Sequence, residues 1–411
     1  MGELVEVAFG LRTAEAHAPG RSPAQHPAAR SCVPLPEQHR LWWQIWSAAP
    51  GIGWQRLKEL EQAFGGLDQA WQASPEALGQ ALTRSTRLGP RGLQALLAYR
   101  SALGPCPLSN PASPEQRQRW RGRRVLMCGD AALPSSLEAL DRPPLQLYWQ
   151  GRGSLWPCLR QRRAVAVVGT RHPSRQGESM ARAIGRALAE AGWPVVSGLA
   201  EGIDAAAHRG CLEAGGQPVG VLGTPLERVY PRHHTALQEQ VGREGLLVSE
   251  QAPGSAVRAG HFAARNRLQV ALAGALVLVE CPHGSGALHS ARLAWETETP
   301  LWVVPADVNR ANAAGSNSWL AQGASALLDP SDLVRSLGAG PLHAGKAPAT
   351  RGVERLIERE AALLGALGGG ASLEQLCERL RLEPGRISER LLQLEMAGLV
   401  CSQPGLWWQP R

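Results

Sequence analysis

The chain is 411 residues long, 44 % hydrophobic and 19 % charged, a balance ordinary for folded domains and a length that predicts two or three compact units. Its formal net charge of +8 suits a polyanionic partner, though a merely basic protein would carry the same balance. Lys58 and Lys346 are the only lysines, so the positive charge is almost all arginine. Guanidinium forks hold phosphate bidentately, although a GC-rich genome would produce the same bias. The eight cysteines (Cys32, Cys106, Cys128, Cys158, Cys211, Cys281, Cys377, Cys401) form no Cys-x-x-Cys pair and no zinc-like Cys/His spacing, which argues for reduced structural thiols and against a metal site. No apolar run reaches membrane-spanning length and the N-terminus lacks a signal-peptide pattern, so a cytoplasmic protein is expected.

Residues 1–38 are rich in Ala, Pro, Arg and His and are read as a disordered tail. Over 39–105 apolar residues recur at three- and four-residue intervals, predicting a small helical domain interrupted at Pro50-Gly51-Ile52-Gly53. That interruption is read as a joint between two packed helices in preference to a backbone phosphate clamp. Residues 106–159, including the proline-punctuated DAALPSSLEALDRPPLQLYWQG, are expected to be a connecting segment ending in a short strand.

From 160 to 335 the character changes. The runs AVAVVG, WPVVS, PVGVLG, LLVSE, ALVLVE and PLWVVPA alternate with helix-compatible sequence, which predicts a doubly wound α/β domain with a mostly parallel sheet covered on both faces. Residues 336–350 are Gly/Pro/Ala-rich and read as a linker. Gly340 to Ala347 nearly spell a Walker A loop, but Ala347 stands where Ser or Thr must hold magnesium and no buried strand precedes it. Three amphipathic helices and a terminal CSQPGLWWQP hairpin over 351–411 predict a winged helix.

Chemistry-bearing residues gather after the strands, where open parallel sheets bind ligands. The first strand ends in Gly169-Thr170-Arg171-His172-Pro173-Ser174, a setting in which a phosphate can meet the free N–H groups of a helix start, or in which the chain simply turns. The second ends in Ser197-Gly198 and leads through Asp204 to His208 and Arg209. Asp204 is placed as an N-cap, and capping plus packing is preferred to an acid–base pair with His208. Phe262 precedes Arg265-Asn266-Arg267, an aromatic near two guanidinium groups as a single-stranded nucleic acid requires; a solvated helix start would carry the same triplet. Ser285 and Gly286 lie in a Gly-rich turn flanked by His283 and His289, but no Gly-x-Ser-x-Gly elbow frames the serine, so nucleophilic catalysis is disfavoured.

Taken in order, VVGTRHPS, SGLAEGIDAAAHRG, VLGTPLERVYPRHH, LLVSE, FAARNR, LVLVECPHGSGALHSARLA, WVVPA and AGSNSWLAQGA resemble the DNA-processing protein A family (DprA, also called Smf) over about residues 40 to 411. The resemblance implies a Rossmann-like core, a SAM/helix-hairpin-helix-like N-terminal domain and a C-terminal winged helix. It also implies a protein of natural transformation that binds single-stranded DNA, dimerises, displaces single-strand-binding protein and loads RecA, with no catalytic role and no cofactor. Carried over by motif, Arg171, Arg209, Arg265 and Arg267 are implied phosphate contacts and Phe262 the base-contacting aromatic. Gly169, Thr170 and Asn266 belong to the same motifs, while Ser197, Gly198, Ser285 and Gly286 are implied to line the groove through backbone N–H groups. The chain departs from the family pattern at Ala259, where lysine is common, at Ala263 and at Ala306.

Two other readings compete. Rossmann-like nucleotide hydrolases of the phosphoribohydrolase type place a catalytic glutamate where this chain has Ser290, which leaves general acid–base work without an owner. A winged-helix transcription regulator would need a basic reading helix, yet Arg386 and Arg390 are interleaved with Glu383, Glu389 and Glu395. A regulatory or partner-binding role for the winged helix is preferred.

Overall fold

The computed structural model describes residues 37–83, 88–105, 107, 124–130, 132–342, 356–403 and 407–410; the expected N-terminal tail lies outside them up to residue 36. Tryptophan burial builds the first domain. Helix α1 (Glu37–Ser47) inserts Trp42, Trp43 and Trp46 against α2 (Trp54–Phe64), α3 (Leu67–Gln72), α4 (Pro75–Thr83) and α5 (Pro90–Leu103). Trp46 meets Trp71 edge-on at 5.2 Å and donates from Nε1 to the Leu67 carbonyl at 2.9 Å, so the indole gains both packing and a hydrogen bond. Arg56 donates to the Gly51 carbonyl and closes the Pro50–Gly53 turn.

The segment expected to be a connector instead enters the sheet. Strands β1 (Val125–Leu126) and β2 (Leu147–Gly151), with a single helical turn α6 (Ser135–Glu138) between them, form one margin of a nine-stranded sheet. A short strand was expected where β2 ends the segment, while the two-residue β1 has no periodicity to read. Arg40 pairs with Asp130, and Trp43 Nε1 donates to the Leu145 carbonyl at 2.8 Å, tying the helical domain to this margin.

The remaining strands and helices alternate: α7 (Trp156–Arg160), β3 (Val165–Val168), α8 (Arg175–Glu190), β4 (Val195–Ser197), α9 (Ile203–Glu213), β5 (Val219–Leu222), α10 (Thr235–Glu244) and β6 (Leu246–Ser249). Then come α11 (Ala259–Leu272), β7 (Ala275–Leu278), α12 (Ala287–Glu296), β8 (Leu301–Val303), α13 (Ala314–Ala321), β9 (Ser325–Ala326) and α14 (Pro330–Leu337). The order is β1-β2-β6-β5-β4-β3-β7-β8-β9. Strands β6 through β9 run parallel, and β2 alone joins β6 antiparallel, with Gly151 beside Leu246. Strands β3 to β7 are wholly buried, as the unbroken apolar runs predict. Strand order reverses between β3 and β7, with β4 to β6 laid down on one side and β8 and β9 on the other, which makes the carboxyl ends of β3 and β7 the topological switch point.

Residues 338–342, expected as the start of a linker, are hydrogen-bonded to the core: Trp193 Nε1 donates to the Gly338 carbonyl, and Gly340 and Leu342 donate to Ala191 and Gly192. Residues 343–350 lie outside the described ones. The winged helix comprises α15 (Ala361–Leu367), β10 (Ala371–Ser372), α16 (Leu373–Leu380), α17 (Pro384–Met396), β11 (Val400–Gln403) and β12 (Trp407–Pro410). A capping box of Ser372 and Gln375 starts α16. Leu392 and Met396 of α17 pack on the main core, and Arg124 Nη2 donates to Ser402 Oγ at 2.9 Å. Among the described residues no helix is long and apolar enough to cross a membrane.

Candidate nucleic-acid interface

The loop after β3 is fixed from both sides. Thr170 N–H donates to the Glu280 carbonyl at 2.7 Å, Ile203 N–H donates to the Thr170 carbonyl at 3.2 Å, and His172 N–H donates to Thr170 Oγ1. Gly169 packs against Ile203. At the start of α8, where the sequence left a docked phosphate and a plain turn both open, the Ser174 and Gly177 N–H groups already have partners within the protein. The buried Glu280 carboxylate accepts from both the N–H and the hydroxyl of Ser174 at 2.9 Å, and Ser174 Oγ accepts from Gly177 N–H. The protein's own carboxylate therefore neutralises this helix end, and the loop offers its exposed Arg171 side chain to an anion instead.

Beneath that loop lies a buried polar cluster. Arg265 is 5 % exposed, donates from Nη1 to the Val221 carbonyl at 2.8 Å and sits 3.9 Å from Asp204 Oδ2. This corrects the expectation of a phosphate contact: Arg265 is an internal strut, because its position one helical turn after Phe262 turns it toward the sheet. Burial pushes the Asp204 carboxyl above its ordinary range, opposed by the Arg265 charge and by the Gly198 N–H that donates to it at 3.0 Å. Burial also lowers the Arg265 guanidinium, and the nearby Arg171 adds to that effect.

Asp204 lies inside α9, with Gly202 at the cap position, so it braces the preceding loop and does not cap its own helix. Ser197 is fully buried and donates to the Val167 carbonyl, and Gly198 has committed its N–H to Asp204. Neither presents a free N–H to a groove. His208 is also buried, 3.3 Å from the Val219 carbonyl through Nε2.

Arg267 and Asn266 are likewise engaged. Arg267 forms a two-pronged ion pair with Glu250 at 2.6 and 2.7 Å and donates to the Arg142 carbonyl. Asn266 Nδ2 donates to the Gly286 carbonyl at 3.1 Å, so α11 holds the Gly-rich turn; within that turn Ser285 Oγ accepts from Ala287 N–H. The rival catalytic position, Ser290, is buried inside α12.

What remains open is a compact cation–aromatic cluster. The Arg171 guanidinium lies over the Phe262 ring at 5.7 Å, and Tyr230 meets the same ring at 4.9 Å. Arg209, Arg232 and Arg258 are exposed on α9, on the turn after Tyr230 and at the start of α11. Neither Arg171 nor Arg209 is ion-paired among the described residues. Tyr230 escaped the sequence reading although it stands in the quoted VYPRHH run; an aromatic followed by proline and three basic or ionisable residues was the available signal.

Comparison with known proteins agrees with this architecture. Residues 124–338 match the profile of the family described as DNA recombination-mediator protein A, and residues 347–405 match the DprA winged helix domain. Protein Smf of Synechocystis sp. is 32 % identical over 408 residues, covering 92 % of this chain and all of the relative. A putative DNA processing protein DprA of Mycobacterium tuberculosis is 35 % identical over 60 % of this chain and 64 % of its own length. The crystal structure of DNA processing protein A from Streptococcus pneumoniae shares the fold, with a TM-score of 0.58 at 23 % identity over 74 % of this chain and 98 % of that one. With its core and winged helix both matched and a relative aligned over its whole length, the chain belongs to the DNA recombination-mediator protein A family, known as DprA or Smf.

Proposed function

We propose that this protein binds single-stranded DNA at the carboxyl ends of β3 to β7 and acts by binding and delivery without catalysing a reaction. The observation that carries the reading is Arg171, a cation without an ion-pair partner among the described residues, held over the Phe262 ring, which Tyr230 in turn contacts. A phosphodiester needs the first and an unstacked base needs the second. Arg209 extends the positive surface, while Arg265 and Arg267 shape the site from within. Family membership supports the finer steps: a homodimer in the cytoplasm that takes strands coated by single-strand-binding protein and loads RecA during DNA uptake.

The deciding experiment is fluorescence-anisotropy binding of a labelled thymine oligonucleotide and a duplex of equal length, for the wild type and Arg171→Ala, across salt. Single-strand preference, a steep fall with salt and a weakened variant are expected. Equal affinity for duplex, or an indifferent variant, would overturn the assignment.

A further inference from the structure

Phe262 has little free ring surface. One edge rests on Gly223, where an added Cβ would come within 2.8 Å of the ring, Arg171 covers it at 5.7 Å and Tyr230 leans on it with an interplanar angle of 48°. Ring centroids 4.9 Å apart are already in direct contact, so no base fits between Phe262 and Tyr230. Tyr230, by contrast, is 47 % exposed. The other two tyrosines spend their hydroxyls internally: Tyr99 donates to the Ile45 carbonyl and Tyr148 to Gln146, and burial raises both phenols to about 12.

The loop that carries Tyr230 is braced along its length. Thr224 Oγ1 donates to the Arg228 carbonyl at 2.7 Å, Gln238 Nε2 donates to the Leu226 carbonyl at 2.9 Å, and Glu227 accepts from Gly254 N–H. An exposed aromatic on a braced loop loses little conformational freedom when a ring stacks on it. Arg232 follows two residues on and is exposed, which puts positive charge beside the ring where the flanking phosphates of a stacked nucleotide would run.

Resting on the single-strand reading above, we propose that Tyr230, with Phe262 and Arg171 behind it, is the platform on which a DNA base stacks. Phe262 then serves as a positioning residue. It holds the Tyr230 ring outward and Arg171 in place, and its own base contact is secondary. Stacking on a phenol face is tolerant of base identity, so the platform selects unpaired bases over duplex without reading sequence.

The test uses the full chain as wild type, Tyr230→Phe and Tyr230→Ala with two oligonucleotides of equal length, one of thymidines and one of abasic deoxyribose phosphates. A 2-aminopurine placed centrally in the thymidine strand reports stacking by quenching. Tyr230→Ala is expected to weaken thymidine-strand binding by about tenfold or more and to relieve the quenching, while Tyr230→Phe retains both. On the abasic strand the wild type and Tyr230→Ala are expected to bind alike, because only phosphates remain to be held. A Tyr230→Ala loss of equal size on both strands, or no loss on either, overturns the platform while leaving the groove intact. A wild type that binds neither strand removes the single-strand reading itself, and the platform with it.

Discussion

Gly198 and Arg265 are matched in space: a Cβ on Gly198 would lie 1.3 Å from Arg265 Nη1. The guanidinium fills the volume that any other residue at 198 would claim, donating to the Val221 carbonyl and facing Asp204. The Gln269 amide, with its oxygen turned inward, accepts from Arg265 Nη1 and from Gly198 N–H at 2.9 Å each. Gly198→Ala must therefore expel Arg265 and strand the Asp204 carboxylate. Breaking a buried pair from one side costs about 3–5 kcal/mol, and Arg265→Ala is expected to cost a similar amount. Since both changes destroy the same interaction, the double variant in urea unfolding should fall well short of the sum. Additive losses would show that the two residues are not coupled.

The two arginines nearest in motif to the groove, Arg171 and Arg267, should behave oppositely. Arg171→Ala touches no internal hydrogen bond, so its stability should stay within about 0.5 kcal/mol of the wild type. The slope of log affinity against log salt for single strands should become shallower by about 0.7 if one phosphate contact is lost. Arg267→Ala leaves Glu250 without its two-pronged partner and should cost about 1–3 kcal/mol of stability with the salt slope unchanged. Paired denaturation and salt titrations decide it; a shallower slope for Arg267→Ala would place that side chain on the DNA.

The sheet and the winged helix were legible because their signals are local. Unbroken apolar runs mark doubly covered strands, and an ordered series of Gly-rich turns marks strand ends. Strand β1 was not legible, since a two-residue strand has no period; a short strand was expected at the end of the connecting segment, where β2 lies, but its place in the sheet was not, because that depends on its pairing with β6. Within the candidate site, the sequence pointed to the strand-end loops but could not assign sides. Arg171 and Arg265 look alike as letters, yet a strand-end loop exposes one and the inner face of α11 buries the other. Tyr230 was missed for the converse reason: its exposure depends on Phe262, which lies 32 positions later in the chain and meets it only in the fold.

His208 should make stability depend on pH. Burial, with help from the Arg265 charge and from His234, drives its imidazole from the ordinary 6.5 down to about 4, although its bond to the Val219 carbonyl opposes the shift. The folded protein keeps this ring neutral where the unfolded chain protonates it. Between about pH 6.5 and 4 the unfolded state thus binds more protons, and stability present above 6.5 is lost as pH falls through that window. His208→Gln keeps an amide donor for Val219 and removes the titration. Relative to the wild type, its unfolding free energy should flatten by up to about 1.4 kcal/mol per pH unit across the window, and parallel pH profiles would refute the assignment.

The winged helix should be separable from single-strand binding. Because β2 runs antiparallel to β6, Gly151 lies beside Leu246 at the amino end of that strand. The docking surface built from Arg124, Gly153, Leu392, Glu395 and Ser402 is therefore at the edge opposite Arg171 and Tyr230. Four-residue strands keep the two apart by about 13 Å or more. Glu395 is the vulnerable point of the docking: it is 2 % exposed, and burial raises its carboxyl above the ordinary range, opposed by the Arg124 charge and by the hydrogen bonds from Ser402. Glu395→Lys sets a buried cation against Arg124 and should release α17 from the core. Hydrogen exchange should then accelerate over residues 147–160, which lose their cover, while single-strand affinity at fixed salt stays within about 0.5 kcal/mol, as distant independent sites do. Faster exchange accompanied by a large loss of affinity would mean that the winged helix reaches the DNA and that the two edges of the sheet act together.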